Sequence, residues 1–335
     1  MESYTLLKPV LRKHRRIVIT THHKPDGDAM GSSLALYHYL LKKGHTVHVI
    51  TPSDYPYFLH WLPGNAEVLV YPGNEQQAEK LIAEAELIFC LDFNNLKRIN
   101  ELGKHVRNAE APRVLIDHHL DPENFDQYRL WNAQACATAE LVYEFITGLG
   151  DGELIDKAIS TCIYTGIMTD TGSFRFPSTT ASVHRIIARL IDAGAENSRI
   201  HELIYDTSSE TRLRFLGYCL SEKLEVLHEY RTGFIAISRQ ELERFQVSTG
   251  DTEGIVNYAL SIYNIKFAAL IIDRSDVVKL SFRSKGEFPA NEIAKRYFEG
   301  GGHRNAAGGQ SKDPLEKVVT KFKQVLEEYK ELLNQ

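Results

Sequence analysis

The sequence predicts an α/β fold in which an N-terminal mainly parallel sheet flanked by helices is joined by a helical linker to a smaller α+β domain. Three observations carry that expectation. The run Ile17-Val18-Ile19 is β-branched and continuously apolar, as strands buried on both faces are. Leu34, Tyr37, His38 and Leu41 follow it at helical spacing, and the same alternation of strand and helix continues through the first half. The chain of 335 residues exceeds one ordinary core, and its pattern turns strand-rich after the middle. The expected divisions are 1–195 for the first domain, 196–222 for the helical linker and 223–335 for the second domain.

Between the first strand and helix lies Thr20 to Ser33, which places His22, Asp26 and Asp28 within seven residues. In open α/β sheets this carboxyl edge is where ligands bind. Pro25 and Gly27 are expected to hold both aspartates on a turn, and Gly31 to let the helix pack closely. A metal-binding loop and a plain N-cap with a turn are both readings of Asp26 and Asp28 at this point. Strands from Thr46 to Ile50, Glu86 to Leu91 and Arg113 to Ile116 come next. The second ends at Asp92 and the third at Asp117, His118 and His119, so three strand ends bring Asp or His to one edge. Helices follow from Ala135 to Ile146 and from Glu153 to Met168, the latter running into Asp170. A further helix spans Val183 to Leu190, and helical, charge-rich sequence spans Glu196 to Leu220.

In the second half, Leu224 to Leu227, Phe234 to Ser238, Phe267 to Ile272 and Val277 to Phe282 read as strands. Helices are expected from Thr252 to Ile262, Pro289 to Phe298 and Pro314 to about Leu333. Gly300 to Gly309, with five glycines in ten residues, reads as a loop whose backbone N–H groups approach an anion, helped by His303 and Arg304.

Composition narrows the function. A formal charge of −5 offers no broad basic surface for long duplex nucleic acid. Cys90, Cys136, Cys162 and Cys219 are scattered in apolar surroundings and read as reduced core thiols. No apolar segment suits a signal peptide or membrane span, so a cytoplasmic protein is expected. A dinucleotide-dependent oxidoreductase is excluded, because the first loop lacks GxGxxG and carries acids that would repel a pyrophosphate.

Four stretches resemble the motifs of the DHH phosphoesterase family: HHKPDGDAMGS at His22 to Ser32, LDFNN at Leu91 to Asn95, IDHH at Ile116 to His119 and GIMTDTGSF at Gly166 to Phe174. GGGHRNAAGG resembles the signature of the DHH-associated C-terminal domain. The resemblance implies two divalent metal ions, one held by His22, Asp26 and Asp92 and the other by Asp28, Asp92, His118 and Asp170, with Asp92 bridging. Carboxylate and imidazole ligands without thiolate make Mn2+ the first choice, with Mg2+, Co2+ or Zn2+ as substitutes. Four converging carboxylates also need cations to offset their repulsion.

Neighbours in an extended segment point to opposite sides, which assigns His118 and His119 separate roles. The resemblance makes His118 the ligand and leaves His119 to contact the scissile phosphate or the leaving oxygen, while Asp117 orients a histidine from behind. Arg98 reads either as a phosphate contact or as surface. Thr171 and Ser173 are expected to arrange the Asp170 turn, and His184 and His201 to be solvated or structural. In the second domain the resemblance points to Arg283, Gly301, Gly302, His303 and Asn305 as substrate contacts.

Among branches of the family, a two-domain chain of this length most resembles enzymes that hydrolyse short oligoribonucleotides and dephosphorylate adenosine 3′,5′-bisphosphate. The implied partners are short RNA or nucleotides, with no long duplex and no membrane, and with room for a homodimer. Competing readings are a phosphodiesterase for cyclic dinucleotides or their linear products, and a nucleotide-sensing binding module without turnover.

Overall fold

In the computed structural model, which describes residues 3–335, the apolar runs of the first half form one six-stranded sheet. Its strands are β1 (Arg16–Thr21), β2 (Thr46–Thr51), β3 (Val68–Val70), β4 (Leu87–Leu91), β5 (Arg113–Asp117) and β6 (Tyr128–Trp131). All neighbouring pairs are parallel, in the order β3-β2-β1-β4-β5-β6. The winding direction therefore reverses between β1 and β4, and their carboxyl ends flank the switch point at which open α/β sheets bind ligands. The outer strands β3 and β6 were not anticipated. Both are short and half-buried: β3 is apolar but only three residues long, and β6 is interrupted by Arg129.

The helices around this sheet are α1 (Ser3–Leu7), α2 (Gly27–Lys42), α3 (Glu75–Glu84), α4 (Leu102–Asn108), α5 (Thr138–Gly148), α6 (Lys157–Asp170), α7 (Ala181–Asp192) and α8 (Asn197–Tyr205). Alternation along each strand sends side chains to two cores. Ile17 and Ile19 pack with Met30 and Leu34 of α2, Phe145 of α5 and Ile163 of α6. Val18, Ile88 and Leu115 pack with Ile82 of α3 and Val106 of α4 on the opposite side. The chain divides into two units, Met1–Thr207 and Ser208–Gln335.

Helix α2 is buried along most of its length and crosses α6 at very short range. A Cβ at Gly31 would lie 2.5 Å from the Cys162 carbonyl oxygen and 2.9 Å from the Gly166 nitrogen, both backbone atoms. The expectation that Gly31 permits close helix packing thus has a definite partner. Starting at Gly27, α2 takes Asp28 into its first turn, so the two aspartates do not share a turn as expected.

The second unit begins with α9 (Glu210–Tyr218) and contains β7 (Leu224–Leu227), β8 (Thr232–Ile237), α10 (Arg239–Arg244), α11 (Ile255–Ser261), β9 (Phe267–Asp273) and β10 (Val278–Ser284). It continues through α12 (Ala290–Tyr297), β11 (Gly301–His303), β12 (Ala306–Ser311), α13 (Leu315–Glu328) and α14 (Lys330–Asn334). The sheet order is β11-β12-β10-β9-β8-β7, with only β8 and β9 parallel. The glycine-rich stretch expected as a loop is instead the β11–β12 hairpin, turning at Arg304-Asn305. Close backbone approach explains its composition: a Cβ at Gly300 would lie 2.0 Å from the Gly308 carbonyl oxygen.

Replacing Gly31 with Ala should destabilise the first unit by about 1–3 kcal/mol, because rigid backbone must move to admit the methyl. Denaturant unfolding measures this as a lower midpoint at unchanged slope. An unchanged midpoint would mean that the α2–α6 contact is loose.

Candidate metal centre

Side chains from the ends of β1, β4 and β5 and from helices α2 and α6 meet around Asp92. The residue follows β4 with φ of 62°, a left-handed conformation that aspartate tolerates better than most residues. Its Oδ2 lies 3.4 Å from His22 Nε2. Its Oδ1 lies 3.6 Å from His118 Nε2 and 3.6 Å from His119 Nδ1, and accepts the Thr138 hydroxyl at 3.0 Å. His118 Nε2 also lies 3.6 Å from Asp170 Oδ2 and 3.9 Å from Asp28 Oδ2. His22, Asp26, Asp28, Asp92, His118 and Asp170 are thus brought together.

Groupings whose ligand atoms lie mutually close enough to hold an ion include His22, Asp26 and Asp92, and Asp28, Asp92 and His118. The donor set fits divalent cations on chemical grounds, being carboxylates and imidazoles that converge, with His22, Asp28, Asp92 and His118 buried and Asp26 and Asp170 reaching the surface. Asp26 has two local tasks. Its Oδ1 caps α2 by accepting from the Asp28 and Ala29 amides at 3.1 Å each, and the same oxygen lies 3.8 Å from His22 Nε2. The cap and the cluster, alternatives in the sequence, coexist.

The two adjacent histidines do not point to opposite sides. β5 ends at Asp117, so strand alternation no longer applies, and both rings turn toward Asp92 with their centroids 5.0 Å apart. His118 Nδ1 faces the Ala135 carbonyl at 3.1 Å, which aims Nε2 at the carboxylates. His119 Nδ1–H donates to Asp117 Oδ1 at 2.8 Å, and a third grouping joins Asp92, Asp117 and His119.

The electrostatics follow from burial and crowding. Burial raises the pKa of Asp28, and the charges of Asp92 and Asp170 raise it further. Burial alone would lower the pKa of His22, but hydrogen bonds to Asp26 and Asp92 outweigh it and raise it to about 10. His118 likewise resists its burial and rises to about 9 under the charges of Asp170, Asp92 and Asp28. His119 differs: burial and then the Arg98 charge push it well below the ordinary value, leaving a neutral ring. Half-buried Arg98, ambiguous in the sequence, therefore acts electrostatically on the site.

Thr138 and Ala139 contribute through their main chain and carried no recognisable signal, whereas Thr171 and Ser173 were expected to shape the turn after Asp170. Thr138 N and Ala139 N donate to Asp28 Oδ2 at 2.6 Å and Oδ1 at 2.8 Å, so the start of α5 clamps that carboxylate. After Asp170, Gly172, Ser173 and Phe174 are successively left-handed. Thr171 Oγ1 donates to Ile167 O at 2.6 Å and accepts from Phe174 N at 3.1 Å, while Ser173 Oγ lies 3.1 Å from His201 Nε2.

In the second unit Arg283 and His303 each face Ala306 in register, from β10 and β11. Cross-strand partners share a face, so one methyl separates the two cationic-capable side chains. Gly301 and Gly302 pair with Gly308 and Ala307 in the same hairpin. Asn305 Nδ2 donates to Ser284 Oγ and Gly286 O, both at 2.9 Å, which fixes the turn.

Residues 16–167 match the DHH family, N-terminal domain, and residues 233–335 match the DHHA1 domain. The chain is 31% identical over 296 residues to a bifunctional oligoribonuclease and PAP phosphatase NrnA of Thermus thermophilus, covering 88% of this chain and 84% of that protein. It is 24% identical over 318 residues to the cyclic-di-AMP phosphodiesterase PdeA of Listeria monocytogenes, spanning only 46% of that protein. Its fold is shared with an exopolyphosphatase-related protein from Bacteroides fragilis, with a TM-score of 0.94, 40% identity and coverage of 99% of this chain and 98% of that one.

Divalent-ion binding should release protons at pH 7, because imidazoles held protonated up to about 9 and 10 must become neutral to ligate. Apparent affinity should then rise with pH toward those values. Calorimetric titrations with Mn2+ in buffers of different ionisation enthalpy measure the release; buffer-independent heats would contradict the charge assignment.

Proposed function

The chain belongs to the DHH family, and from that membership we propose a two-metal phosphoesterase that cuts short oligoribonucleotides to mononucleotides and removes the 3′-phosphate of adenosine 3′,5′-bisphosphate. The observation that carries this is the convergence on Asp92 of histidines and carboxylates from separate strand ends and helices. Resemblance over most of the chain to a relative named for both activities supports the substrate class. The likeness to the cyclic-di-AMP phosphodiesterase spans less than half of that protein, which makes it the weaker guide.

In this reading His22, Asp26 and Asp92 hold one ion, Asp28, Asp92, His118 and Asp170 hold the other, and Mn2+ is the preferred species. Bound divalent ions supply Lewis-acid stabilisation of charge on phosphate and activation of water. The chain's own residues arrange the rest. Asp117 keeps the His119 ring in one orientation by accepting from Nδ1, and His119 contacts the scissile phosphate or the leaving oxygen through Nε2, which donates once the negative phosphate draws a second proton onto the ring. Arg98 adds positive charge beside the same group.

Arg283 and His303 hold the non-reacting end of the ligand, an anchoring role that lowers the cost of orientation. A 5′-phosphorylated dinucleotide and adenosine 3′,5′-bisphosphate share one leaving atom, the 3′-oxygen of a nucleoside 5′-phosphate. One phosphate anchor therefore serves both reactions.

Mn2+-loaded protein offered a dinucleotide, adenosine 3′,5′-bisphosphate and cyclic dinucleotides side by side should favour the first two. Preference for the cyclic compounds would favour the phosphodiesterase reading, and binding without product would favour a sensor. Asp92→Asn preserves the backbone preference while weakening ligation, and should lower kcat by at least about 100-fold on every substrate. A folded variant that kept its activity would remove Asp92 from the reaction.

Ala306→Val should raise KM for nucleotides, because added methyls intrude between Arg283 and His303, while turnover of a small artificial phosphodiester falls far less. Equal losses on both kinds of substrate would show that this face serves the fold alone.

A further inference from the structure

Trp131 ends β6 in register with Asp117 of β5, which places it at the sheet edge that carries His118 and His119. Tyr128 and Leu130 of the same strand pack against the core beneath α2 and α5, so Trp131 stands on the opposite face with Arg129. It joins neither core of its unit among the described residues and is 40% exposed, an unusual position for so large an apolar ring. Scattered exposed apolar residues need no explanation, but this one is fixed in place. Its indole N–H donates to the His119 carbonyl at 2.6 Å, and the next carbonyl, of Leu120, accepts from Asn94 Nδ2 at 2.6 Å. The chain beside His119 is thus tied from two sides. With its polar atom committed to the backbone and few torsions to freeze, the indole offers a rigid π face.

We propose that Trp131 is a nucleobase-stacking subsite of the active site, receiving the base of one of the two nucleosides joined by the phosphate held at Asp92 and His119. The proposal rests on the phosphoesterase reading for its substrate class. The side-chain chemistry suits a base: stacking on an aromatic ring tolerates any base, whereas this indole has no donor left for reading base edges. A nucleoside whose phosphate lies against His119 also carries its base to the neighbouring surface. Trp131 accordingly selects for nucleotides over small phosphoesters without specifying sequence.

The test uses the Mn2+-loaded full chain and 5′-phosphorylated dinucleotides, intact or abasic at either position. Trp131→Ala should raise KM for the intact dinucleotide by about 5-fold to 100-fold with a much smaller change in kcat, the range expected for one lost stacking contact. Trp131→Phe, which keeps a ring but loses the N–H, should recover most of that loss. At one of the two positions, removing the base should cost the wild-type protein far more in KM than it costs the Trp131→Ala protein.

A loss confined to kcat, equal in the Ala and Phe variants, would overturn the proposal and make the indole a support for the His119 backbone. Equal base-removal penalties in both proteins, at both positions, would also overturn it. Binding is read separately in Trp61→Phe protein, where Trp131 is the only indole. Adenosine monophosphate should quench its fluorescence, and absence of quenching counts against the subsite. Quenching without dinucleotide hydrolysis by the wild-type protein would reject the phosphoesterase reading while leaving the subsite standing.

Discussion

Both oxygens of Asp28 are taken by backbone amides at the first turn of α5, and this clamp ties the helix after β1 to the helix beyond β6. A helix N-terminus favours negative charge, so the fold supplies part of the compensation that a buried carboxylate requires. It cannot supply all of it. Asp92 and Asp170 lie close enough to oppose ionisation of Asp28, and His22 and His118 retain protons well above neutrality to balance the group. The arrangement concentrates negative charge that protonated His22 and His118 offset, a charge that cations would offset under the proposed function.

Topology explains why this assembly forms where it does. β1 and β4 are neighbours only because the winding reverses between them, and that brings His22 and Asp92 side by side although they are distant in sequence. The close α2–α6 crossing at Gly31 then sets Asp170, the last residue of α6, near the same centre. A bulkier residue at Gly31 would shift Asp28 and Asp170 through the packing of these helices, without touching either carboxylate.

Much of this was legible in the residues. The apolar runs of β1, β4 and β5 identify the sheet, and the Asp and His that end them identify its functional edge. The outer strands offered only three apolar residues in β3 and an interrupted run in β6, and their existence depends on pairing with neighbours. Thr138 and Ala139 were missed because they act through main-chain N–H groups, which any residue type can present. The opposed orientation expected for His118 and His119 failed because β5 ends at Asp117, before either histidine, so strand alternation does not reach them. The glycine-rich stretch read as a loop because single residues do not reveal whether glycine serves a turn or the close approach of two strands.

Manganese paramagnetic resonance offers the most direct test of the central claim that Asp92 joins two ion sites. Titration of the metal-free protein should end at two ions per chain with a spectrum of exchange-coupled Mn2+, and Asp92→Asn should abolish the coupling. A six-line spectrum of isolated ions at saturation, or coupling that survives the substitution, would contradict the account.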